Sequence, residues 1–140
     1  MTDHFDDTKP LPVAAAAQAQ RPDPELTGLV MQFDLDDEIR KLHHETAWSQ
    51  KGRNAKTLVK HSDFRIVLTA MRAGTRQETH KADARVSIEC VAGHLRLVLP
   101  DRTVDLHPRH VLVLDKCVEH NVEAVVDSAL LVSISWPHGD

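Results

Sequence analysis

The chain has 140 residues, of which 41% are hydrophobic and 27% are charged, and its net charge is -4 at pH 7. This length fits one domain, and the composition is that of an ordinary soluble globular protein. No apolar run is long enough to span a bilayer. Residues 28–140 contain 16 acidic and 15 basic residues, so the sequence offers no basic surface for nucleic acid. We therefore expect neither a membrane nor a nucleic acid as a partner.

The first 27 residues differ in composition from the rest of the chain. They are rich in Ala, Gln, Asp and Pro, and they contain five acids and two bases. Four prolines interrupt any helix, at Pro10, Pro12, Pro22 and Pro24. Such a segment cannot form a core of its own. We predict an N-terminal arm over residues 1–27, either flexible or docked on a partner, and a single domain over residues 28–140.

The cellular compartment is indicated by the N-terminus and the cysteines. The apolar stretch from Leu11 to Ala17 resembles the hydrophobic part of a secretion signal, but the residues before it are acidic where a signal is positive. Cys90 and Cys117 have neither disulfide-framework nor metal-ligand spacing. These features favour a cytoplasmic protein with reduced thiols.

The residue pattern at the start of the domain predicts a short strand followed by a helix. Residues 29–33 have the composition of a strand, and Leu35, Ile39 and Leu42 then recur at helical spacing behind Asp34, a residue type that caps helices. The sequence thus predicts a strand over 29–33 and one short helix after Asp34.

From Lys56 onward the pattern changes to short strands separated by turns. The segments are rich in Val, Ile, Leu and Thr, and no helix is predicted between them. Turn residues such as Gly93, Pro100 and Asp101 favour antiparallel hairpins. This predicts an all-β fold, an antiparallel β-barrel or jelly roll. The predicted strands cover residues 56–60, 64–72, 84–91, 94–100, 102–106, 110–115, 120–126 and 129–136.

Two segments resemble the conserved motifs of the cupin superfamily. GTRQETHKADARVSIECVAG, residues 74–93, has Gly74, His80 and Gly93 at the positions of the first cupin motif, and RHVLVLDKCVEHNVEA, residues 109–124, has His120 at the position of the second motif's histidine. The resemblance implies a metal-binding cupin site, but Ala82 and Val86 stand where that motif has its second histidine and its carboxylate. The nearer resemblance is to small single-domain cupins of unknown function with a degenerate metal-binding motif.

The missing ligands determine which functions we expect. Protein metal sites of the catalytic type take three protein ligands, so His80 and His120 alone form an incomplete site for a weakly bound divalent metal. Strand alternation from Val86 places Ile88 and Cys90 on the same face. We predict a non-catalytic cavity that binds a small, mostly apolar molecule among His80, His120, Val86, Ile88 and Cys90, with no firmly bound cofactor.

Two other functions remain open. One is a metal-dependent cupin enzyme of the oxygenase or isomerase type, with His80, His120 and an unidentified further ligand. The other is a structural or interaction module whose cavity is collapsed. Small barrels of this kind leave one sheet face exposed, so we also expect a homodimer joined through a sheet. His94, His107 and His110 are interpreted as surface residues, and Arg65 as part of the polar face of a sheet.

Overall fold

A computed structural model describes residues 26–137, apart from the side chain of His80. The predicted arm therefore lies almost entirely outside the described residues. Within them, nine strands form two antiparallel sheets, and two short helices precede the strands. The helices are α1 (Leu35–His43) and α2 (Thr46–Lys51). The strands are β1 (Arg53–Lys60), β2 (Phe64–Met71), β3 (Arg76–His80), β4 (Arg85–Ala92), β5 (Leu95–Val98), β6 (Thr103–Leu106), β7 (Val111–Leu114), β8 (His120–Ala124) and β9 (Ser128–Ser135).

The larger sheet has the strand order β1-β2-β9-β4-β7, and the smaller one has the order β3-β8-β5-β6. All strand pairs are antiparallel. Alternate residues of β4 are buried, as are alternate residues of β8 and β5. These inward faces form the main core, because each strand turns one face away from water. The core includes Val86, Ile88, Leu97, Val122 and Leu130.

The outer face of strands β1 and β2 in the larger sheet is covered by the helices and the segment before them. Leu42 of α1 is buried against Leu68 and Ala70 of β2, with Met31 and Phe33 packed alongside. Asp34 caps α1, because its side chain accepts a hydrogen bond from the backbone N–H of Asp37 over 3.1 Å.

The predicted fold class is confirmed, with differences in the first elements. The predicted strand over 29–33 is wrong: this segment joins no sheet, and Met31 and Phe33 are partly buried by packing against the second core cluster instead. The helix after Asp34 is confirmed. Strand β3 and helix α2 were not predicted, because β3 has the polar sequence RQETH and α2 is only six residues long.

No helix in the range 26–137 has both the length and the apolar character needed to cross a membrane.

Candidate functional site

His80 and His120 are register partners on neighbouring strands. His80 ends β3, His120 begins β8, and their Cα atoms face each other in the antiparallel ladder after an irregularity that follows Gln77. The two histidines from the two motif-like segments are thus brought together by strand pairing, although 39 residues lie between them in the sequence. The backbone therefore supports their assignment to one site.

The imidazole of His120 is 3% exposed. Its Nδ1 lies 3.1 Å from the carbonyl oxygen of Val118. Because a carbonyl can only accept a hydrogen bond, Nδ1 carries the hydrogen, and in the neutral ring Nε2 is an acceptor. Burial lowers the pKa of His120 below its ordinary value of 6.5, and the hydrogen bond to Val118 opposes this shift. The fold thus favours the neutral imidazole.

Ala82 and Val86 occupy the positions at which the cupin motif has its other ligands. Both side chains are buried, at 4% and 3% exposure, and both belong to the main core. A methyl and an isopropyl group cannot coordinate a metal ion. Positions 82 and 86 are therefore buried, as expected for ligand positions of the cupin motif, but their side chains are those of a hydrophobic core.

The three predicted wall residues of β4 share one buried face. Val86, Ile88 and Cys90 are all at most 3% exposed, and they lie in the same core cluster. The Cys90 thiol donates to the carbonyl oxygen of Ala92 over 3.5 Å. Burial raises the pKa of Cys90 above its ordinary value, which keeps the thiol protonated. Cys90 is therefore a buried, neutral thiol within the apolar core.

A second group of polar side chains lies in the loops beside the histidines. Cys117 adopts a left-handed backbone conformation, with a φ of 63°, and its backbone N–H donates to Ala82 O over 2.8 Å. Its Sγ lies 3.9 Å from a carboxylate oxygen of Asp83. Among the side chains that the structure describes, which exclude that of His80, no three His, Cys, Asp or Glu residues are arranged to hold a metal ion.

Arg65 is a buried residue, contrary to its interpretation as part of a polar sheet face. It is 5% exposed, and its guanidinium carbon lies 5.3 Å from the ring centroid of Trp136. In β2 it is the register partner of the core residue Ile134 on β9. The sequence did contain a signal for this burial. Arg65 lies two residues before Val67, so strand alternation puts both side chains on the same face of β2, and both are buried.

His94, His107 and His110 form a cluster that the sequence did not indicate. The rings of His94 and His107 stack with centroids 4.3 Å apart, and His110 meets His107 edge on at 5.6 Å. His94 Nε2 lies 3.0 Å from a carboxylate oxygen of Asp105, and this hydrogen bond lowers the pKa of Asp105. Ring lone pairs lie in the ring planes, so the stacked rings of His94 and His107 do not converge on one ion. The cluster ties two turns together at the end of β4 opposite His120.

The sequence matches no family model and no curated protein. Solved structures with the same fold are numerous, however. A conserved protein of unknown function from Streptococcus pyogenes superposes with a TM-score of 0.68 at 17% identity, covering 86% of this chain and 99% of that chain. A cupin superfamily protein from Desulfitobacterium hafniense gives a TM-score of 0.60 at 15% identity, covering 62% and 80%.

An enzyme is also among these neighbours. A variant of salicylate 1,2-dioxygenase from Pseudoaminobacter salicylatoxidans gives a TM-score of 0.66 at 16% identity, covering 74% of this chain and 35% of that chain. At such identities the likeness shows the fold. The resemblance of residues 74–93 and 109–124 to cupin motifs is therefore confirmed at the level of the fold, and the chain adopts the fold of the cupin superfamily.

Proposed function

We propose that the chain is a non-catalytic binding protein that takes a small, mostly apolar molecule between its two sheets. His80 and His120 provide the polar end of the site, and Val86, Ile88 and Cys90 provide the apolar wall. The observation that carries the proposal is the burial of the His120 imidazole at 3% exposure beside a largely aliphatic core. A neutral imidazole beside aliphatic side chains is a polar group that can orient a ligand with a hydroxyl or amide group.

The chemistry of the replaced positions supports the same proposal. Ala82 and Val86 enlarge the apolar surface where a metal site would be polar. Specific pockets are lined mainly by apolar side chains with few polar groups that orient the ligand. A molecule with an apolar body and one hydrogen-bonding end matches this combination.

The test is native mass spectrometry of the protein as purified, followed by identification of any retained small molecule. The proposal expects a molecule that is retained by the wild type and lost in both His80→Ala and His120→Ala. The matched control is His61→Ala, because His61 is an exposed histidine in the turn between β1 and β2. If the wild type and all three variants retain the molecule, it binds elsewhere and the proposal is contradicted. A wild type that retains no small molecule from the cell extract also contradicts the proposal.

The second candidate is a metal-dependent enzyme. Two observations favour it. His80 and His120 are register partners on neighbouring strands, and the chain shares its fold with salicylate 1,2-dioxygenase. A third ligand would have to come from the adjoining loops, where Asp83 is the first carboxylate after His80 in the sequence. Stoichiometric metal that is lost in Asp83→Asn would establish this candidate in place of the first.

A further inference from the structure

Strand β7 is an unprotected edge of the larger sheet. Among the described residues it pairs with β4 alone, so its other side faces outward. Its sequence VLVL contains neither charge nor proline, the features by which proteins normally block an edge. Val111 and Val113 are 53% and 65% exposed, which is high for large apolar side chains on a sheet. This edge has the properties of a surface that pairs with another strand.

The direction of the β7 backbone groups follows from the ladder. The backbone N–H of Cys90 on β4 donates to the carbonyl oxygen of His110 over 3.0 Å. Two positions further along the ladder, Ile88 of β4 is the register partner of Leu112 of β7. Antiparallel ladders alternate between hydrogen-bonded and non-hydrogen-bonded pairs. Leu112 and Leu114 therefore bond to β4, while the N–H and C=O groups of Val111 and Val113 point away from the sheet.

We propose that β7 pairs antiparallel with β7 of a second copy of this chain, about a two-fold axis that passes beside Leu112. In this register Val111 of each copy lies opposite Val113 of the other, and both residues use their outward N–H and C=O groups. The two sheets then join into one of ten strands. If the two β7 strands were shifted by two residues in either direction, half of the valines at positions 111 and 113 would no longer lie opposite a valine of the other copy. The register centred on Leu112 is therefore the preferred one.

The charges at the ends of β7 favour the same register. Arg109 and Asp115 lie three positions before and after Leu112, so the two-fold axis places Arg109 of each copy near Asp115 of the other. Both residues are exposed. Arg109 is fixed in a turn by its left-handed φ of 75° and by the hydrogen bond from His110 N to His107 O. Asp115 also lies 3.2 Å from Arg85 Nε of its own chain, in an exposed pair that leaves it accessible to the second copy. Charges that complement each other at both ends of this dimer favour a second copy of the chain as the occupant.

The first experiment measures molar mass by sedimentation equilibrium. A four-residue ladder buries less than the roughly 1,200 Å² of a standard interface, so concentrations up to about 0.5 mM are needed to populate the dimer. The wild type should reach twice the chain mass of 15.7 kDa. Val113→Pro removes one outward N–H without touching the ladder to β4, and it should remain at one chain mass with unchanged circular dichroism.

Leu29→Ser/Val30→Ser is the matched control, because these two residues are also exposed and apolar. They lie next to Met31, which packs against the core cluster that includes Leu68 of β2, and two strands separate β2 from β7 in the larger sheet. This variant should still reach two chain masses. A wild type that stays at one chain mass at every concentration overturns the proposal. A Val113→Pro protein that dimerises as well as the wild type overturns it too.

The second experiment tests the register itself. Arg109→Asp places like charges at both ends of its own dimer, and so does Asp115→Arg. Each variant alone should be at least about tenfold weaker in self-association, a loss of about 1.4 kcal/mol. In an equimolar mixture, one copy is acidic at both positions and the other is basic at both, so opposite charges meet again at each end of the mixed dimer. The mixture should therefore regain two chain masses, and two variants that dimerise no better together than apart would refute this register.

Residues 1–25 are the other segment that could cover β7. Deletion of residues 1–25 distinguishes the two occupants. The proposal expects the truncated chain to dimerise as the wild type does. A wild type at one chain mass together with a truncated chain at two chain masses would overturn the proposal and assign the edge to the arm.

Discussion

Cys117 donates its backbone N–H to the carbonyl oxygen of Ala82 over 2.8 Å, and this hydrogen bond joins the loop before β8 to the loop before β4. Ala82 belongs to the first motif-like segment, residues 74–93, and Cys117 belongs to the second, residues 109–124. The contact lies close to the register pair of His80 and His120, because Ala82 and Cys117 are two and three residues from these histidines. The two motif-like segments are thus in direct backbone contact.

Restoring the missing ligands should restore metal binding. Ala82→His/Val86→Glu places an imidazole and a carboxylate at two buried core positions. Without metal, the buried polar groups should lower the free energy of unfolding by about 1–3 kcal/mol. Added Zn²⁺ should raise the melting temperature of this variant and leave that of the wild type unchanged, as measured by calorimetry. A folded double variant that is indifferent to Zn²⁺ would show that these positions do not converge with the histidines.

The two glycines of the first motif should differ in their tolerance of a side chain. Both have left-handed backbones, with φ of 85° at Gly74 and 87° at Gly93. A Cβ at Gly74 meets no atom within 4 Å, whereas one at Gly93 collides with Ser128 Oγ and the carbonyl oxygen of Asp127.

Gly74→Ala should therefore cost only the left-handed conformation, about 1–2 kcal/mol. Gly93→Ala should cost about 3 kcal/mol or more, because the backbone of the neighbouring turn must also move. Chemical denaturation of both variants measures the difference, and equal losses would contradict this geometry.

The stability of the fold should depend on pH through His120. Its pKa is lower in the folded chain than in the unfolded chain. Below the unfolded pKa of about 6.5 the unfolded chain therefore binds the extra proton, and the stability present at higher pH is lost as the pH falls. The loss is at most about 1.4 kcal/mol per pH unit for one proton.

Urea denaturation between pH 7.5 and 5.0 measures this dependence, with His120→Gln as the comparison. The variant should show a shallower loss of stability than the wild type over this range. If the two proteins lose stability in parallel, His120 is not the group responsible.

The ion pair between helix α1 and the sheet should stabilise the fold. Glu38 Oε1 lies 2.8 Å from Lys56 Nζ, and the two side chains are only 12% and 21% exposed. Glu38→Gln should lower the free energy of unfolding by about 1–2 kcal/mol, because it leaves a partly buried ammonium group with a weaker partner. The exposed pair of Asp37 with Lys41 serves as the control. An Asp37→Asn loss as large as that of Glu38→Gln would contradict the assignment.

The sequence predicts the sheets well because apolar alternation determines which face of each strand is buried. The cupin resemblance placed Val86 inward, strand alternation then placed Ile88 and Cys90 on the same face, and all three are buried. Strand β3 was missed because most of its residues are polar. It is stabilised by antiparallel pairing with β8, and a contact between segments so far apart in the sequence cannot be predicted from a local residue pattern.

The side-chain arrangements around the strands were less predictable. Arg65 was expected on a polar face, yet it lies beneath Trp136 because its position in β2 is inward. The stacking of His94 on His107 depends on two turns that are neighbours only in the folded chain. The pairing of His80 with His120 was anticipated from the two motifs, since each motif supplies one of the residues.

We propose that the cupin fold of this chain holds an apolar binding site in place of a resident metal. The most direct test of this proposal is the metal content of tag-free protein, purified without chelators and measured by inductively coupled plasma mass spectrometry. The account predicts iron, zinc, manganese and nickel each far below one ion per chain. One ion per chain that is lost in His120→Ala would contradict it.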